Sequence, residues 1–329
     1  MNAMKDSATV VTVLTAPDED TPPGLEPLFE QAETRVARDA ASLEQALPGT
    51  EVLVVTDFRT GVLSRTWHAA DRLRWIHATS AGVDAVLIPE VRNSDVIVTN
   101  AQGIFNRSIA EYVLCAILMW VKDFPESMRL QRERCWQHRE TERATGARVL
   151  VVGAGAIGRE IARITSAVGM EVHGIGRRAR DSDPDFRAVH ASESLHEQLA
   201  QADHVVVAAP LTPATEGMFD AEAFRAMRPE ATFINIGRGP IVRTEALVQA
   251  LQDGGIRAAV LDVFEEEPLP EDHALWGMDN AILTPHMSGD FIGWRAALSE
   301  QFLENLARWR DGKELFNVVN KELGYVPGG

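Results

Sequence analysis

Short apolar runs, separated by polar or turn-rich stretches, recur along the first hundred residues. Such runs are typical of buried strands, and the stretches between them are helix-like or turn-rich, which predicts a small α/β unit. The runs occupy residues 10–14, 51–56, 75–79 and 96–100. Residues 108–122 are instead apolar on nearly every face of a helix. Ser108, with Glu111 at the third following position, predicts a capping-box start for this buried helix.

A second series of strand candidates follows an arginine-rich stretch at residues 129–143. Helical patterns separate most of these candidates, so we expect a parallel, doubly wound sheet. The candidates are residues 148–153, 171–176, 204–209, 232–237, 258–264 and 281–284. One long amphipathic segment, residues 294–310, comes after them. The pattern therefore predicts an α/β protein with two domains.

Composition and charge narrow the possible partners. The chain has 329 residues, 45% hydrophobic and 24% charged, which is enough to fill more than one core. The early apolar run is broken by threonines and followed by acids, so it is predicted as a strand and not as a signal peptide or membrane span. A formal charge of −16 disfavours nucleic acid and anionic membranes. Cys115 and Cys135 lack disulfide or zinc spacing, which favours a cytoplasmic protein without a bound metal.

Gly153, Gly155 and Gly158 have GxGxxG spacing between a predicted buried strand and a predicted helix. In a dinucleotide-binding turn, the first glycine permits the tight turn and the second lets the backbone approach the pyrophosphate. The third lets helix and strand pack closely, and the helix N-terminus faces the phosphate charge. An ordinary tight turn is the alternative, but the flanking strand and helix favour the dinucleotide.

The second strand of this predicted sheet ends without the acid that NAD-binding domains place near the ribose 2′-hydroxyl. Gly176 occupies the expected position, and Arg177 and Arg178 follow it. No carboxylate would then repel a 2′-phosphate, and the two guanidinium groups can bind it through charge-assisted hydrogen bonds. We therefore predict NADP in preference to NAD. The alternative is a pair of solvated surface arginines.

Arg238, Glu267 and His286 each follow a predicted strand, where ligands of open α/β sheets bind. Reduction of a 2-oxo acid requires a cation for the carboxylate and carbonyl, and a proton donor for the oxygen that gains charge. Arg238 fits the first role and His286 the second, while Glu267 can orient and stabilise the imidazolium. Each residue alone also has a purely structural interpretation: a loop salt bridge, one acid of a solvated run, or a hydrogen-bonded loop histidine.

Asp262 places a charge in an otherwise apolar strand, where desolvation is costly unless the carboxylate finds donors. Two roles stay open from the sequence alone. The carboxylate accepts a hydrogen bond either from the nicotinamide carboxamide of a cofactor or from nearby backbone amides.

These motifs together resemble the D-isomer-specific 2-hydroxyacid dehydrogenase family over roughly residues 50–320. The motifs are SAGVD at 80–84, GAGAIG at 153–158, APLTPAT at 209–215, NIGRG at 235–239, LDVFEEEP at 261–268 and TPH at 284–286. The resemblance implies that Arg238, Glu267 and His286 are catalytic. It also implies that the backbone amides of Ala81 and Gly82 bind the substrate carboxylate, with Arg238 and His286 contacting the substrate. The implied cofactor contacts beyond the three glycines are Ala156, Ile157, Pro210, Thr215, Ile236, Asp262 and Gly289.

The resemblance also implies a domain arrangement. A Rossmann cofactor domain, residues 104–287, is expected to be inserted in a flavodoxin-like substrate domain formed by residues 1–103 and 288–329. Homodimers are expected to form largely through the cofactor domain. The missing acid after the second strand resembles the NADP-using glyoxylate and hydroxypyruvate reductase branch. The expected reaction is therefore NAD(P)H-dependent reduction of a small 2-oxo acid to the D-2-hydroxy acid.

Other functions use the same fold and are carried as alternatives. A dinucleotide-sensing corepressor retains the arginine, glutamate and histidine, so these residues do not discriminate, whereas the short uncharged tail favours the enzyme. Many enzymes of the phosphoglycerate dehydrogenase type carry an extra regulatory domain, which is not expected here. Ser80, Phe105 and Trp136 are candidates for the border of the substrate pocket, although packing is the more common role for a tryptophan such as Trp136.

Overall fold

The computed structural model describes residues 9–56 and 61–327, and the chain divides into two compact units. One unit contains the described residues up to Ile104 and those from Phe291 onward, and the other is Phe105–Asp290. The chain thus leaves the first unit, completes the second and returns to the first. Within the described ranges, no helix is both long and apolar enough to cross a membrane.

The first unit is built on a five-stranded parallel sheet with the order β2-β1-β3-β4-β5. Its strands are β1 (Val10–Leu14), β2 (Glu33–Ala37), β3 (Val52–Val55), β4 (Trp75–Ala78) and β5 (Ile97–Thr99). Its helices are α1 (Glu26–Gln31), α2 (Ala40–Ala46), α3 (Leu63–Thr66), α4 (Pro89–Arg92) and, after the second unit, α11 (Trp294–Arg310). This is the flavodoxin-like order, whose switch point lies between β1 and β3.

Both faces of this sheet are covered, which explains why its central strands are apolar at nearly every position. On one face, Phe302 and Leu306 of α11 join Trp75 of β4 in a buried cluster with the valines of β1 and β3. On the other face, Leu53 of β3 and Ile76 of β4 belong to a second cluster with residues of α2 and α4. The sheet therefore lies between two hydrophobic cores, and loops follow the carboxyl ends of its strands.

The second unit is built on a seven-stranded parallel sheet with the order β12-β11-β10-β9-β6-β7-β8. Its strands are β6 (Arg148–Val152), β7 (Glu171–Gly176), β8 (Ala188–Ala191), β9 (His204–Val207), β10 (Thr232–Asn235), β11 (Ala258–Leu261) and β12 (Ala281–Leu283). Its α-helices are α5 (Asn106–Val121), α6 (Phe124–Arg132), α7 (Ala156–Ala167), α8 (Leu195–Leu199), α9 (Ala221–Ala226) and α10 (Thr244–Gln252). This is the Rossmann order with one added strand, switching between β6 and β9. The prediction of two doubly wound parallel sheets is confirmed.

The structure differs from the sequence predictions in two local features, each for an identifiable reason. The capping box at Ser108 and Glu111 is wrong, because α5 begins at Asn106 with Phe105 as its N-cap. Ser108 instead donates its hydroxyl to the carbonyl oxygen of Asp290 at 3.3 Å. Strands β2 and β8 were not predicted, because both are sheet edges and neither is a continuous apolar run.

Candidate active site

The glycine turn lies at the switch point of the seven-stranded sheet, between β6 and α7. Gly153 has a φ of +113° and donates its N–H to Ile175 O at 2.9 Å. A Cβ at Gly153 would lie 2.6 Å from Ala209 N, and a Cβ at Gly158 would overlap the carbonyl oxygen of Gly153. Only glycine fits these two positions, because no side chain can enter either contact.

Gly155 differs from its two neighbours. It is exposed and is the N-cap of α7, and a Cβ there would meet nothing within 4 Å. The open side of the turn is therefore next to the first helical residues, Ala156 and Ile157, whose side chains are half-buried. Backbone N–H groups at a helix N-terminus bind phosphate, so the turn can hold a pyrophosphate.

The loop after β9 borders the glycine turn and contains two of the expected cofactor contacts. Thr215 Oγ1 donates to Pro210 O at 2.7 Å, and Thr212 N–H donates to Thr215 Oγ1 at 2.9 Å. The hydrogen bonds of Thr215 thus join the end of this loop to residues 210 and 212. Ile236, which follows β10, is buried, and its N–H donates to Val207 O at 3.1 Å.

The carboxyl end of β7 carries the predicted 2′-phosphate site. Arg177 and Arg178 are exposed there. A side chain at Gly176 would lie 3.2 Å from Val189 Cγ1 and 4.0 Å from the Cβ of Ala154, inside the glycine turn. An acid at this position would therefore stand beside the turn, and glycine leaves that space open.

A group of ion pairs fixes the loop that follows these arginines. Asp183 and Asp185, with side chains 2% and 9% exposed, pair with Arg159 of α7 at 2.9 and 2.8 Å. Arg163 of α7 pairs with Asp185 at 2.7 Å, and Arg180 pairs with Asp183 at 3.3 Å. Burial, the largest single influence, would raise the pKa of Asp183. The hydrogen bonds from Arg159 and from the N–H of Asp185, together with the charges of Arg159 and Arg180, outweigh burial, and the pKa lies below its ordinary value. Asp183 and Asp185 are therefore already neutralised by arginines, whereas Asp181, also in the described part of this loop, is exposed and forms no ion pair.

Glu267 and His286 form the central pair of the candidate site. His286 Nδ1 lies 2.8 Å from Glu267 Oε2, and the two side chains are 28% and 29% exposed. Glu267 Oε1 accepts from Phe264 N–H at 2.9 Å. Burial would raise the pKa of Glu267, but the hydrogen bonds from His286 and Phe264 and the charge of Arg238 outweigh it, so the pKa is lowered. Glu267 is thus ionised and orients the imidazole through Nδ1.

Arg238 is positioned by its own loop. Asn235, buried at the end of β10, accepts from Gly237 N–H at 3.1 Å and donates to Arg238 O at 3.3 Å. Gly239 packs so closely on the Phe264 carbonyl that a Cβ would overlap it. This contact brings the arginine loop against the loop that leads to Glu267, so the structure places the three predicted catalytic residues together.

Asp262 is completely buried directly after β11, and its carboxylate holds the segment around His286. Oδ1 accepts from Thr284 Oγ1 at 2.6 Å and Met287 N–H at 2.9 Å, and Oδ2 accepts from Ser288 N–H at 2.9 Å. The described contacts are those of the structural acceptor, and a contact with the nicotinamide carboxamide stays a prediction. His286 itself has a φ of +53°, a conformation that non-glycine residues adopt only when their surroundings hold them there.

Two residues to which the sequence analysis assigned no role extend this network. Thr284 gives its hydroxyl proton to Asp262, so it accepts from the hydroxyl of Tyr112, 2.7 Å away. Burial raises the pKa of Tyr112 to about 12, so the phenol stays protonated and remains a donor. Phe105, at the start of the same helix α5, packs on Gly289, where a Cβ would lie 2.9 Å from its ring. Helix α5 and its N-cap residue thus stabilise the position of the segment that contains His286.

The predicted carboxylate cradle lies in the first unit, in the loop after β4. Within the part of the chain that the structure describes, the N–H groups of Ala81 and Gly82 donate no hydrogen bond. Ser80 Oγ donates to Gly82 O, and Asn100 Nδ2 donates to Ala81 O, both at 2.6 Å. The loop is held by its carbonyls, which leaves its N–H groups to bind an anion. The side chain of Trp136, in the second unit, is fully exposed, so its place at a pocket border stays a prediction.

Comparison with known proteins agrees with this architecture. A family model described as the NAD binding domain of D-isomer specific 2-hydroxyacid dehydrogenase matches residues 114–288. The glyoxylate reductase of Thermococcus onnurineus is 30% identical over 315 residues, which are 91% of this chain and 93% of that protein.

Solved structures match along nearly the whole chain. A D-isomer specific 2-hydroxyacid dehydrogenase from Xanthobacter autotrophicus, in complex with NADPH and MES, is 30% identical with a TM-score of 0.83, covering 97% of this chain and 100% of that one. The NADPH-dependent glyoxylate/hydroxypyruvate reductase of Sinorhizobium meliloti, in complex with NADP and sulfate, is 27% identical with a TM-score of 0.83, covering 96% and 100%. Fold, site and similarity agree, and the chain belongs to the D-isomer specific 2-hydroxyacid dehydrogenase family.

Proposed function

We propose that this protein reduces a small 2-oxo acid to the corresponding D-2-hydroxy acid with NADPH. The observation that carries the proposal is the 2.8 Å hydrogen bond between Glu267 and His286, in a site where the charge of Arg238 also acts on Glu267. An imidazole held through Nδ1 exchanges its proton with a substrate through Nε2. Such a pair, with a cation beside it, is what carbonyl reduction needs.

Each residue of the site has a separate role in the proposed reaction. Arg238 attracts the carboxylate and polarises the carbonyl of the 2-oxo acid. As the carbonyl oxygen gains negative charge, His286 donates a proton to it from Nε2, and ionised Glu267 stabilises the imidazolium before transfer. A positioned general acid of this kind contributes about 10²- to 10⁴-fold to the rate. The N–H groups of Ala81 and Gly82 bind the substrate carboxylate.

The glycine turn fits a dinucleotide. Gly155 leaves open space beside the N-terminus of α7, where the pyrophosphate would bind, and Gly158 lets the helix approach the strand. Ala156, Ile157, Pro210, Thr215, Ile236 and Gly289 are assigned as further contacts. When bound, the reduced nicotinamide supplies the hydride.

The preference for NADPH over NADH rests on three features at the end of β7. Gly176 offers no carboxylate, Arg177 and Arg178 are exposed, and Asp183 and Asp185 of the following loop are paired with other arginines. A 2′-phosphate would therefore meet two guanidinium groups, against the single unpaired carboxylate of Asp181 in the described part of that loop.

A charge-deletion variant tests this preference. Arg177→Ala should raise the KM for NADPH about tenfold, which corresponds to loss of about 1.4 kcal/mol, while the KM for NADH stays within about twofold. Arg225→Ala is the matched control, because Arg225 lies on α9 with a side chain 74% exposed and loses the same charge away from the site. Equal losses for the two cofactors would reject the assignment of Arg177.

The reaction itself is tested with the purified protein, NADPH and a panel of 2-oxo acids, followed by absorbance at 340 nm. Turnover of at least one small 2-oxo acid, with the D enantiomer as product, is expected. A protein that binds NADPH but oxidises it with no member of the panel would be a dinucleotide sensor, and the proposal would be wrong.

We further propose that the protein forms a homodimer through the second unit. Apolar side chains are exposed around α6 and the segment that follows it: Phe124, Met128 and Trp136. Light scattering after gel filtration should give twice the chain mass of 36.1 kDa, and Trp136→Ala should shift the equilibrium toward monomer. A wild-type monomer at micromolar concentration would contradict the proposal.

A further inference from the structure

The two peptide units of the carboxylate cradle are held by their carbonyl oxygens. Ser80 O accepts from Ala101 N–H at 3.0 Å, and Ala81 O accepts from Asn100 Nδ2 at 2.6 Å. Both peptide units are trans, and in a trans peptide the N–H points away from the carbonyl oxygen of the preceding residue. The N–H groups of Ala81 and Gly82 are therefore both directed away from residues 100 and 101. Two donors on the same side of a loop match the two oxygens of a carboxylate.

Asn100 fixes the second of these peptide units. It directly follows β5 and is 4% exposed. Its Oδ1 accepts from Gln102 N–H at 3.2 Å, while its Nδ2 donates to Ala81 O. Because both ends of the amide have partners, the side chain has one orientation, with the donor toward the cradle.

The C-terminal segment, residues 316–319, holds the loop that contains Asn100. Asn317 Nδ2 donates to Asn100 O at 3.3 Å and to Gln102 O at 2.9 Å, and Asn100 N–H donates to Asn317 O at 3.2 Å. Asn317 has a φ of +58°, a left-handed conformation that asparagine adopts more readily than most residues. One amide, 217 residues away in the chain, thus bridges the two ends of residues 100–102.

Helix α11 fixes the C-terminal segment in turn. Asn305 of this helix is completely buried, and its amide binds the backbone of Phe316 at both ends, accepting from N–H and donating to O at 3.0 Å each. Gln301, one turn earlier, donates Nε2 to Gln102 O at 3.1 Å. Hydrogen bonds therefore run without a break from α11 through residues 316–317 and 100–102 to the cradle.

We propose that Asn317 is a positioning residue for the substrate carboxylate. By holding residues 100–102 it keeps the N–H groups of Ala81 and Gly82 directed at the carboxylate, and it acts through Asn100 and not through contact with the substrate. The inference rests on the proposed function and deepens it, because it assigns substrate affinity to the C-terminal segment. A carboxylate that does not react is bound alike before and during hydride transfer, so its loss acts on KM and not on kcat.

The first test is Asn317→Gly, because glycine adopts the left-handed backbone and only the amide is lost. The KM for the 2-oxo acid should rise about tenfold, as expected when one hydrogen bond to a carboxylate is misdirected. Both kcat and the dissociation constant for NADPH should stay within about twofold. An unchanged KM, or a fall in kcat as large as the rise in KM, would overturn the inference.

Asn320→Gly is the matched control, because it makes the same substitution three residues along the chain. Asn320 is exposed, and its Oδ1 accepts from the N–H groups of Glu322 and Leu323 in its own turn. The KM of this variant should equal that of the wild type. A rise as large as in Asn317→Gly would show general loosening of the chain end and overturn the assignment to Asn317.

Asn100→Asp tests the next step of the same path. The aspartate has nearly the same shape, but an oxygen faces Ala81 O where a donor stood, so the peptide unit is repelled. The KM should rise about a hundredfold, more than in Asn317→Gly, with NADPH affinity within about twofold. An unchanged KM would overturn the inference, since the carbonyl of Ala81 would then not set the direction of the N–H groups.

The last test needs no turnover. Oxalate, a carboxylate that cannot be reduced at carbon 2, is titrated by calorimetry into the wild type and Asn317→Gly, each saturated with NADP. Its dissociation constant should be about tenfold higher in the variant. Equal affinities, or no binding to the wild type, would overturn the inference. Weakened oxalate binding in the variant, together with no turnover of any 2-oxo acid by the wild type, would support the inference and overturn the proposed function alone.

Discussion

Two parts of the second unit build the candidate site by different means. The glycine turn, residues 153–158, is fixed by steric exclusion, because the backbone of the loop after β9 and of the turn itself occupies the space that side chains would need at Gly153 and Gly158. The histidine segment, residues 284–288, is fixed by polar side chains, since the carboxylates of Asp262 and Glu267 accept its hydrogen bonds. The geometry of the turn thus requires that Gly153 and Gly158 have no side chains. The geometry of the histidine segment requires the carboxylates of Asp262 and Glu267.

This structural difference between the turn and the histidine segment corresponds to two roles, cofactor binding and proton transfer. A turn made of glycine, alanine and isoleucine brings backbone N–H groups to a ligand but has no side chain that can exchange a proton with it. An imidazole held by an ionised carboxylate can exchange a proton, and its position depends on each hydrogen bond behind it. Changes in the turn should therefore act on stability and cofactor affinity, and changes behind the histidine should act on turnover.

The largest effect on stability is expected for Gly158→Ala. The added Cβ would overlap Gly153 O, a backbone atom that cannot rotate away, so helix α7 must move from β6. We expect a loss of about 3 kcal/mol in the free energy of unfolding and NADPH binding weakened about a hundredfold. Denaturant unfolding and cofactor titration measure the two effects.

Gly155→Ala is the matched control for this variant. Its Cβ meets nothing within 4 Å, so the free energy of unfolding should change by less than about 0.5 kcal/mol. NADPH affinity should still fall, because the methyl group stands where the backbone approaches the pyrophosphate. Equal destabilisation by the two alanines would contradict the steric account.

Glu267→Gln probes the other part of the site. The amide keeps the shape but removes the anion next to the imidazole, so kcat should fall about 10- to 100-fold. The KM for NADPH should stay within about twofold, because Glu267 acts on the proton donor and not on the cofactor. A kcat within about twofold of the wild type would show that Glu267 has no role in proton transfer.

The same pair predicts how stability depends on pH. The pKa of Glu267 is lowered by folding, from an ordinary value of 4.5, so its stabilising contribution is complete above that value and is lost as the pH falls through the folded pKa. The difference in free energy of unfolding between wild type and Glu267→Gln should be constant from pH 7 to about 5 and should shrink below it. A difference that grows in acid would reverse the sign and contradict the pairing.

The smallest effect is expected for Tyr112→Phe. Loss of the donor to Thr284 leaves the hydrogen bond from Thr284 to Asp262 in place, so the free energy of unfolding should fall by about 1 kcal/mol. The effect on kcat should be at most about fivefold, with the KM for NADPH unchanged. A loss of kcat as large as that of Glu267→Gln would mean that Tyr112 does more than support the segment.

The steric part of this site could be predicted from sequence, and the polar part only in outline. Only glycine fits at Gly153 and Gly158, so the residue type in the sequence indicates the backbone geometry there. Arg238, Glu267 and His286 are predicted from strand ends and family motifs, but the hydroxyl groups of Tyr112 and Thr284 are common ones whose contacts depend on distant packing. Ser108 shows the same limit, because its hydroxyl found a carbonyl 182 residues away instead of capping its own helix.

The fold shows a related contrast. Central strands such as β6 and β9 are buried on both faces and are recognisable as apolar runs. The edge strands β2 and β8 alternate or mix polar residues, since one side of each meets solvent, and they were missed.

The most direct test of the central claim is one variant measured in two ways. For His286→Gln, the account predicts a kcat at least about 10³-fold below wild type, with the dissociation constant for NADPH within about twofold. His196→Gln, at an exposed histidine of α8, should match wild type in both. Retained turnover in His286→Gln, or a loss of NADPH affinity that accounts for the lost activity, would contradict the assignment of proton transfer to His286.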